Sequence, residues 1–370
     1  MSHKAGRRTA AALALAALAL SGCVSVRDDG ADVAAATSTT ARPRATTTAP
    51  PRAGGPGEPT GAPVTIAFGG DVHFEGAVAA RLARDPATTF GPIAAVLRRA
   101  DLAVVNLETA ITERGTPAPK EFTFRAPPSA FAALDAAGVD VATMANNHGA
   151  DYGVVGIRDS LAAARQAGFP VIGIGADAEQ AFRAHRFTVH GQRIAVIGAT
   201  QVLDASLAAA WSAGDGKPGL ASAYDEKRLL QAVRAARAEA DTVVVDLHWG
   251  RELEGCPIDR QRALAPKLAA AGADVIVGSH AHVLLGGGYL RGAYVHYGLG
   301  NFVFYARGGV TARSGVLLLT VRGRAVTRAE WVPAVISGGI PLPLEGAAAE
   351  QAVAAWHSLR GCTGLAARPT

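Results

Sequence analysis

The sequence lacks the features that support binding to nucleic acid. Its formal net charge is only +5 over 370 residues, and neither a basic patch nor interleaved basic and aromatic residues are present. Three positive charges, on Lys4, Arg7 and Arg8, lie in a segment that we expect to be removed, which leaves about +2. Because binding to phosphates depends on clustered Lys and Arg, we expect no nucleic-acid partner. No internal repeat is evident.

Cysteine is scarce, with three residues in the chain, and Cys23 is the first. It follows a basic start and an apolar run over residues 10–20, which is too short to span a bilayer as a stable helix and is typical of a signal peptide. The Leu-Ser-Gly-Cys tetrapeptide that ends at Cys23 resembles a bacterial lipobox. We therefore expect residues 1–22 to be a lipoprotein signal peptide, and the exported protein to be lipid-anchored through Cys23 to the outer face of the bacterial cell membrane. An ordinary signal peptide that contains a cysteine is the alternative.

The other two cysteines, Cys256 and Cys362, can oxidise to a disulfide outside the cytoplasm. Such a bond would join a predicted C-terminal helix to the loop that follows the predicted strand 242–245. Two free thiols are the competing interpretation.

A stretch of low complexity separates the N-terminal segment from the rest of the chain. Residues 24–61 are mostly Ala, Thr, Pro, Arg and Gly, with almost no large apolar side chain. Because such a composition cannot bury a core, residues 23–62 are predicted to be the lipidated cysteine and a disordered tether. A flexible coil of this length averages ~35 Å between its ends, which suits a domain held away from a membrane.

Residues 63–370 alternate short apolar strands with Ala-rich helices, a pattern typical of an α/β domain. Almost half of the chain (49%) is hydrophobic, which permits a sizeable core. Strands are predicted at 64–68, 102–105, 139–145, 171–174, 186–189, 193–197, 242–245, 274–277, 293–296, 315–321 and 325–332. Helices are predicted at 75–83, 91–100, 129–137, 155–167, 225–240, 258–271 and 347–359. The strands at 186–189 and 193–197 are predicted to form a hairpin, and the last third is predicted to be antiparallel.

Side chains of the metal-ligand type follow five of the predicted strands. Asp71 and His73, two residues apart after the first strand, leave the same face of an extended segment. Gly69 and Gly70 before them are expected to permit a tight turn and to leave room for a ligand. The later clusters contribute Glu108, Asn147 with His148, His248, and His280 with His282. Since ligands collect beyond the carboxyl ends of strands in α/β sheets, these groups can converge on one crevice.

This mixture of carboxylate, imidazole and amide groups predicts a metal site. Such donors suit Mn, Fe or Zn better than Ca. Asp246, two residues before His248, is a candidate acceptor for the second ring nitrogen of that histidine, and a plain buried polar residue is the alternative. Asn301 lies in a Gly-rich turn and is predicted either near the site or in a structural corner.

Together these segments resemble the calcineurin-like metallophosphoesterase superfamily and, within it, the CapA family, which is associated with capsule and poly-γ-glutamate synthesis. The resemblance covers about residues 64–304. It rests on Gly70-Asp71-Val72-His73, Asn106-Leu107-Glu108, Asn146-Asn147-His148 with Asp151-Tyr152-Gly153, His248-Trp249-Gly250 with Glu252, Gly278-Ser279-His280-Ala281-His282, and Tyr297-Gly298-Leu299-Gly300-Asn301-Phe302.

The resemblance implies an α/β fold in which two sheets form a β-sandwich flanked by helices (α/β/β/α). It also implies a site for two divalent metal ions. One ion would be held by Asp71, His73 and His282, and the other by Asn147, His248 and His280.

Two positions depart from the superfamily pattern. Glu108 stands where a bridging aspartate is usual, and its greater length can change the metal spacing. His148 matches the histidine thought to act as general acid, but Gly149 replaces the acidic residue that often follows it. The orientation of His148 then depends on whether Asp151 substitutes for that residue.

By the same resemblance, the protein would be a metal-dependent hydrolase or transferase of capsule or poly-γ-glutamate biosynthesis, acting on an anionic polymer or a phosphoester. Two cations ~3.5–4 Å apart can stabilise both the attacking and the leaving oxygen. The alternative is a non-catalytic accessory protein that binds an anionic polymer and supports the subunits of a membrane synthase. A candidate ligand in each of the five clusters favours catalysis.

Overall fold

The computed structural model describes residues 46–47, 61–306 and 308–369. The predicted signal peptide, Cys23 and nearly all of the predicted tether lie outside the described residues. Within the tether, Thr46 and Thr47 form a two-residue strand that pairs antiparallel with residues 187–188. Across the part of the chain that the structure describes, no helix combines the length and hydropathy needed to cross a bilayer.

The domain alternates strands and helices. In chain order the strands are β1 (Thr46–Thr47), β2 (Val64–Val72), β3 (Leu102–Leu107), β4 (Ala110–Ile111), β5 (Arg125–Ala126), β6 (Val141–Thr143), β7 (Val171–Ile172), β8 (Ile174–Gly175), β9 (His185–Val189), β10 (Gln192–Thr200), β11 (Gly219–Leu220), β12 (Thr242–His248), β13 (Val275–Ser279), β14 (Gly287–Leu290), β15 (Ala293–His296), β16 (Asn301–Val303), β17 (Arg313–Arg322), β18 (Ala325–Ser337) and β19 (Ile340–Pro343). The helices are α1 (Gly76–Arg84), α2 (Ile93–Leu97), α3 (Ser129–Ala137), α4 (Gly153–Ala167), α5 (Ala178–Ala181), α6 (Ala208–Trp211), α7 (Glu226–Glu239), α8 (Asp259–Ala271) and α9 (Gly346–Ser358).

The strands form two large sheets. One has the order β1-β9-β10-β12-β13-β15-β14, and the other has the order β19-β18-β17-β2-β3-β6-β7 with β16 paired to β2. The predicted hairpin is confirmed as β9 and β10, whose two-residue loop, His190-Gly191, has both φ angles positive, as a type I′ turn requires. The expectation of an antiparallel last third holds for β17, β18 and β19. For β15 it holds on one side, where β14 pairs antiparallel, and is wrong on the other, where β13 pairs parallel.

Three apolar clusters show how these layers pack. The inner cluster joins the facing sides of both sheets, with Phe68 and Val104 from one sheet and Val244 and Val277 from the other. The outer clusters place α1 to α4 over the eight-stranded sheet, and α7 and α8 over the seven-stranded sheet. Each fully buried Val, Leu or Phe contributes about 1.5–3 kcal/mol. The two-sheet α/β/β/α sandwich is therefore confirmed.

Two glycines allow β16 to lie against the end of β2. A Cβ atom on Gly70 would lie 1.9 Å from the carbonyl oxygen of Gly300, and one on Gly69 would lie 2.8 Å from the ring of Phe302. The backbone N–H of Asp71 donates to the same carbonyl at 3.0 Å. The space beside these glycines, which was expected to admit a ligand, is thus filled by the segment that carries Gly300 and Phe302. The hydrogen bond to Gly300 fixes the backbone at Asp71.

Cys256 and Cys362 are joined by a disulfide, with 5.8 Å between their Cα atoms. The bond connects the loop after β12 to the short 3₁₀ turn that follows α9. A separation of 106 residues makes this a long covalent loop.

His296 is a buried histidine that lies outside the ligand clusters. It lies fully buried in β15, and its Nε2 accepts a hydrogen bond from Trp356 Nε1 at 2.9 Å. Its ring stacks with those of Trp331 and Trp356. Burial lowers the pKa of His296 to about 3, so the imidazole is neutral in the folded protein.

Removal of the disulfide is predicted to destabilise the protein by about 2–5 kcal/mol, because closing a loop of this length restricts the unfolded chain. The Cys256→Ser, Cys362→Ser double variant should therefore unfold at lower urea than the oxidised wild type. Reductant should bring the wild type to the level of the variant and leave the variant unchanged. A wild type that does not respond to reductant would show that the bond does not form.

His296 is predicted to make the protein less stable as the pH falls below about 6.5, since only the unfolded chain then takes up the proton. Between about pH 7.5 and about pH 5.5 this costs ~1.4 kcal/mol. His296→Gln keeps an acceptor for Trp356 but does not titrate, so its free energy of unfolding should fall by ~1.4 kcal/mol less over this interval. Equal pH dependence of the two proteins in urea titrations would contradict the assignment.

Candidate metal centre

The carboxyl ends of strands from both sheets bring carboxylates and imidazoles together. Glu108, His248 and His280 form one group of possible ligand atoms that all lie within 4.8 Å of one another, and Asp71, Glu108 and His282 form another. Glu108 belongs to both groups, so it lies where a bridging ligand between two ions would lie.

The cluster has two halves, one with His248 and His280 and the other with Asp71 and His282, and short distances join the atoms within them. Nε2 of His248 lies 2.7 Å from Asn147 Oδ1 and 3.4 Å from Glu108 Oε1. Nδ1 of His282 lies 3.2 Å from Asp71 Oδ2. The side chains of Asp71, Glu108 and His248 are fully buried, and that of His282 is 18% exposed. Six of the seven sequence-predicted ligands, all except His73, therefore lie together.

Two buried asparagines hold this arrangement, and sequence reasoning assigned them no role. Asn106 Nδ2 donates to Asp71 Oδ1 at 2.8 Å and lies 3.1 Å from His248 Nδ1. Asn146 Nδ2 donates to Asn106 Oδ1 at 2.9 Å. Within the described part of the chain, Asp246 forms no hydrogen bond with His248, and Asn106 Nδ2, a donor, faces Nδ1 of that histidine where an acceptor was expected.

His148 has the partner that its neighbour Gly149 cannot provide. Its Nδ1 lies 2.6 Å from Asp151 Oδ2, and its ring stacks on Phe124 at a centroid distance of 4.0 Å. Its Nε2 lies 4.0 Å from Glu108 Oε1, on the side of the metal-ligand cluster. Burial lowers the pKa of His148, and the hydrogen bond with Asp151 opposes this shift. Asp151 therefore orients the ring.

Lys120 was missed because a single lysine in a loop carries no sequence signal. Its Nζ lies 2.9 Å from Asp151 Oδ1, 2.5 Å from the carbonyl oxygen of Asn147 and 3.5 Å from Asp204 Oδ2. The lysine side chain is only 9% exposed. It joins the segment that carries Asn147 to the carboxylate that orients His148.

His73 is the predicted ligand that the structure does not bring into the cluster. Its Nδ1 faces the backbone N–H of Glu75 at 3.1 Å, and its Nε2 faces that of Tyr305 at 3.3 Å. The ring packs on Phe304 at a centroid distance of 3.7 Å. Burial, aided by His148 and His282, lowers the pKa of His73 to about 3.

Two histidines of the cluster have strained backbone conformations. His280 has a φ of 95° and His282 a φ of 54°, in a region that side-chain-bearing residues rarely adopt. Such strain persists where surrounding contacts determine it, and it is common at functional sites. The His280 N–H lies 3.3 Å from Asp71 Oδ2, and Asn301 Oδ1 lies 2.8 Å from Nδ1 of His282. Asn301 is therefore next to the cluster.

The buried polar atoms of this pocket fit a divalent cation. Among the described residues, both carboxylate oxygens of Glu108, Oδ1 of Asp246 and Nδ1 of His280 have no hydrogen-bond partner. Leaving such a group unsatisfied costs about 1–3 kcal/mol. Burial and then the charge of Asp71 raise the pKa of Glu108 well above its usual range, and that of Asp246 to about 8.

The buried carboxylates also affect the pKa of His282. Burial opposes its charged form, but the carboxylates of Glu108 and Asp71 outweigh this effect and raise its pKa to about 10. The pocket therefore favours a positive charge, and its oxygen and nitrogen donors are those that Mn, Fe and Zn accept.

A cleft of about 660 Å³ opens beside the cluster and gives access to it. Asn147, His280 and Glu252 line it, together with basic and acidic side chains that include Arg260 and Asp204. A substrate in this cleft would lie against the candidate ligands.

Comparisons with known proteins identify the family of this chain. The family model described as bacterial capsule synthesis protein PGA_cap matches residues 65–306. The capsule biosynthesis protein CapA of Bacillus anthracis is 35% identical over 218 residues, which cover 58% of this chain and 52% of that protein. The PGA biosynthesis protein CapA of Bacillus subtilis (strain 168) is 32% identical over 253 residues, covering 68% and 65%. A probable polyglutamine synthesis accessory protein of Mycobacterium tuberculosis is 30% identical over 210 residues, covering 55% of each.

The chain spans between about half and two thirds of the length of these relatives. Among solved structures, a phosphatase from Mycoplasma pneumoniae has a TM-score of 0.48 at 14% identity, covering 75% of this chain and 95% of that one. The 5′-nucleotidase of Candida albicans has a TM-score of 0.43 at 10% identity, covering 82% and 60%. These structural scores are low, and the assignment rests on the sequence matches. Because the matched segment is more than half of the chain and contains every candidate metal ligand, this chain belongs to the bacterial capsule synthesis protein PGA_cap family.

Proposed function

We propose that this protein is a metal-dependent hydrolase or transferase of capsule or poly-γ-glutamate biosynthesis. The observation that carries the proposal is the position of Glu108, a buried carboxylate shared by two groups of potential metal ligands. Asp71 and His282 complete one group, and His248 and His280 complete the other. The biosynthetic context comes from the relatives named CapA.

Most of the candidate residues in this pocket would bind metal ions. Bound divalent ions would polarise a carbonyl or phosphoryl group and lower the pKa of a water molecule. Asp71, Glu108, His248, His280 and His282 would hold the ions. Ions held in this way could polarise the phosphoryl group of a phosphoester or the amide carbonyl of a glutamate polymer. The substrate class is therefore an anionic polymer or a phosphoester.

His148 is placed to move a proton at its Nε2 atom. Because Asp151 accepts from Nδ1–H, the lone pair of the neutral ring is on Nε2, toward Glu108. This nitrogen can take a proton from a nucleophile and then give it to a leaving atom. Lys120 Nζ pairs with the other oxygen of Asp151 at 2.9 Å and so helps to hold that carboxylate in place.

The location of the protein belongs to the same proposal. A lipid anchor at Cys23 would hold the domain at the outer face of the cell membrane, beside the subunits of a membrane synthase. The support for this is the basic and apolar segment before Cys23 and the low-complexity stretch after it.

A non-catalytic accessory role is the second candidate. The position of His73, whose ring nitrogens face backbone N–H groups and not the cluster, favours it, because a protein that only binds a polymer can lose a ligand. One relative is itself described as a probable accessory protein of polyglutamine synthesis. In this role the pocket would bind metal and polymer without turnover.

Elemental analysis and turnover together test the proposal. The wild type should contain two divalent ions per chain and hydrolyse bis-p-nitrophenyl phosphate or poly-γ-glutamate. Glu108→Gln should lose bound metal and at least ~10²-fold in kcat, because the shared carboxylate is removed. Glu239→Gln, the same change at an exposed carboxylate that pairs with Arg186, is the matched control.

The outcomes separate the two candidates. Metal without turnover on either substrate would establish the accessory role. Metal and turnover that both survive Glu108→Gln would remove the proposed centre altogether.

Loss of the His148 imidazole is predicted to affect proton transfer and not metal binding. His148→Gln should lower kcat by about 10²–10⁴-fold while the metal content stays at the wild-type level. His190→Gln, at an exposed hairpin loop, is the control for removal of an imidazole. Full activity of His148→Gln would show that another group transfers the proton.

A further inference from the structure

We propose that Glu252 is a ligand of the metal centre and that His73 is not. This inference rests on the proposed function, since it adds a donor to the same site. The resemblance to known families assigns Glu252 no role and assigns His73 a metal.

The geometry places Glu252 at the cluster. A carboxylate oxygen of Glu252, a ring nitrogen of His280 and a ring nitrogen of His282 all lie within 4.8 Å of one another. These two histidines belong to different halves of the centre. Glu252 also lines the cleft, together with His280, whereas Glu108 is fully buried. The centre would therefore have a carboxylate on its buried side and another on its open side.

The loop that carries Glu252 is bound to the segment that carries the histidines. The backbone N–H of Trp249 donates to the carbonyl of Ser279 at 3.3 Å, and that of Leu253 donates to the carbonyl of Ala281 at 2.9 Å. Glu252 lies between these two bonds. The disulfide at Cys256 anchors the same loop four residues after Glu252.

The carboxylate of Glu252 is not used elsewhere. Among the described residues it has no hydrogen-bond donor, and no Lys, Arg or His nitrogen lies within 4 Å of it. Its neighbour Arg251 pairs instead with Glu254 at 3.3 Å. Meanwhile Nδ1 of His280, a residue only 5% exposed, lacks a partner in the described part of the chain. A cation between these groups would satisfy both.

The contacts of its own ring argue against His73 as a ligand. A neutral imidazole has one acceptor nitrogen, and whichever nitrogen of His73 it is, a backbone N–H already faces it. Coordination would require one nitrogen to leave these donors and the ring to leave Phe304. Exchanging His73 for Glu252 gives the centre three carboxylates, and such an oxygen-rich set suits Mn²⁺.

Titration of the metal-free protein with Mn²⁺ alone, followed by the EPR signal of the free ion, tests the inference. Glu252→Gln should weaken Mn²⁺ binding more than about tenfold, a loss at least as large as that from removing a partner of a ligand. His73→Gln should stay within about twofold of the wild type. Glu254→Gln, the same change two residues further along the loop, is the matched control. Circular dichroism and thermal unfolding confirm that each variant is folded.

Binding by Glu252→Gln within twofold of the wild type would overturn the inference, as would a tenfold loss in His73→Gln. The variant Glu108→Gln distinguishes this failure from failure of the proposed function. If Glu108→Gln loses Mn²⁺ but Glu252→Gln does not, only the inference is wrong. If Glu108→Gln also binds normally, the centre itself is wrong.

Discussion

The buried carboxylate of Glu108 is the constraint on which the rest of the site depends. An ionised carboxylate in a protein interior is strongly unfavourable unless a positive charge or several donors compensate it. Here the surrounding groups are another carboxylate, Asp71, and imidazoles that burial keeps neutral, apart from His282. The cost must be offset by the large apolar core of the domain. The fold thus gathers more buried carboxylate than the single charged imidazole of His282 compensates, and a bound cation would compensate the rest.

Convergence of the ligands follows from the packing of the two sheets. In the eight-stranded sheet, parallel pairing aligns Asp71 with Asn106, and Glu108 follows at the end of β3. In the seven-stranded sheet, parallel pairing aligns His248 with Ser279, the residue before His280. Each sheet therefore supplies one part of the donor set, and the centre forms at the edge where both sheets end. The apolar layer between the sheets is what sets the spacing of these parts.

Much of the fold was predictable from local patterns, because apolar strands and Ala-rich helices alternate clearly. The β9–β10 hairpin followed from its turn residues, and the ligand clusters followed from their positions after strands. Side-chain direction beyond a strand end was not predictable. His73 turns toward the backbone of Tyr305, which is distant in sequence, and Asn106 rather than Asp246 meets His248. Lys120 became visible only through its three-dimensional partners, because no spacing rule connects it with Asp151.

The link between Cys256 and Cys362 has a consequence for proteolysis of this chain. His280 and His282 lie inside the covalent loop, whereas Asp71, Glu108 and His248 precede it. A single cut at any exposed loop between residues 257 and 361 would produce two fragments that are still joined through sulfur. Both fragments would remain in one molecule, held also by the sheets to which they contribute strands. Nicked chains would therefore separate on a gel only after reduction.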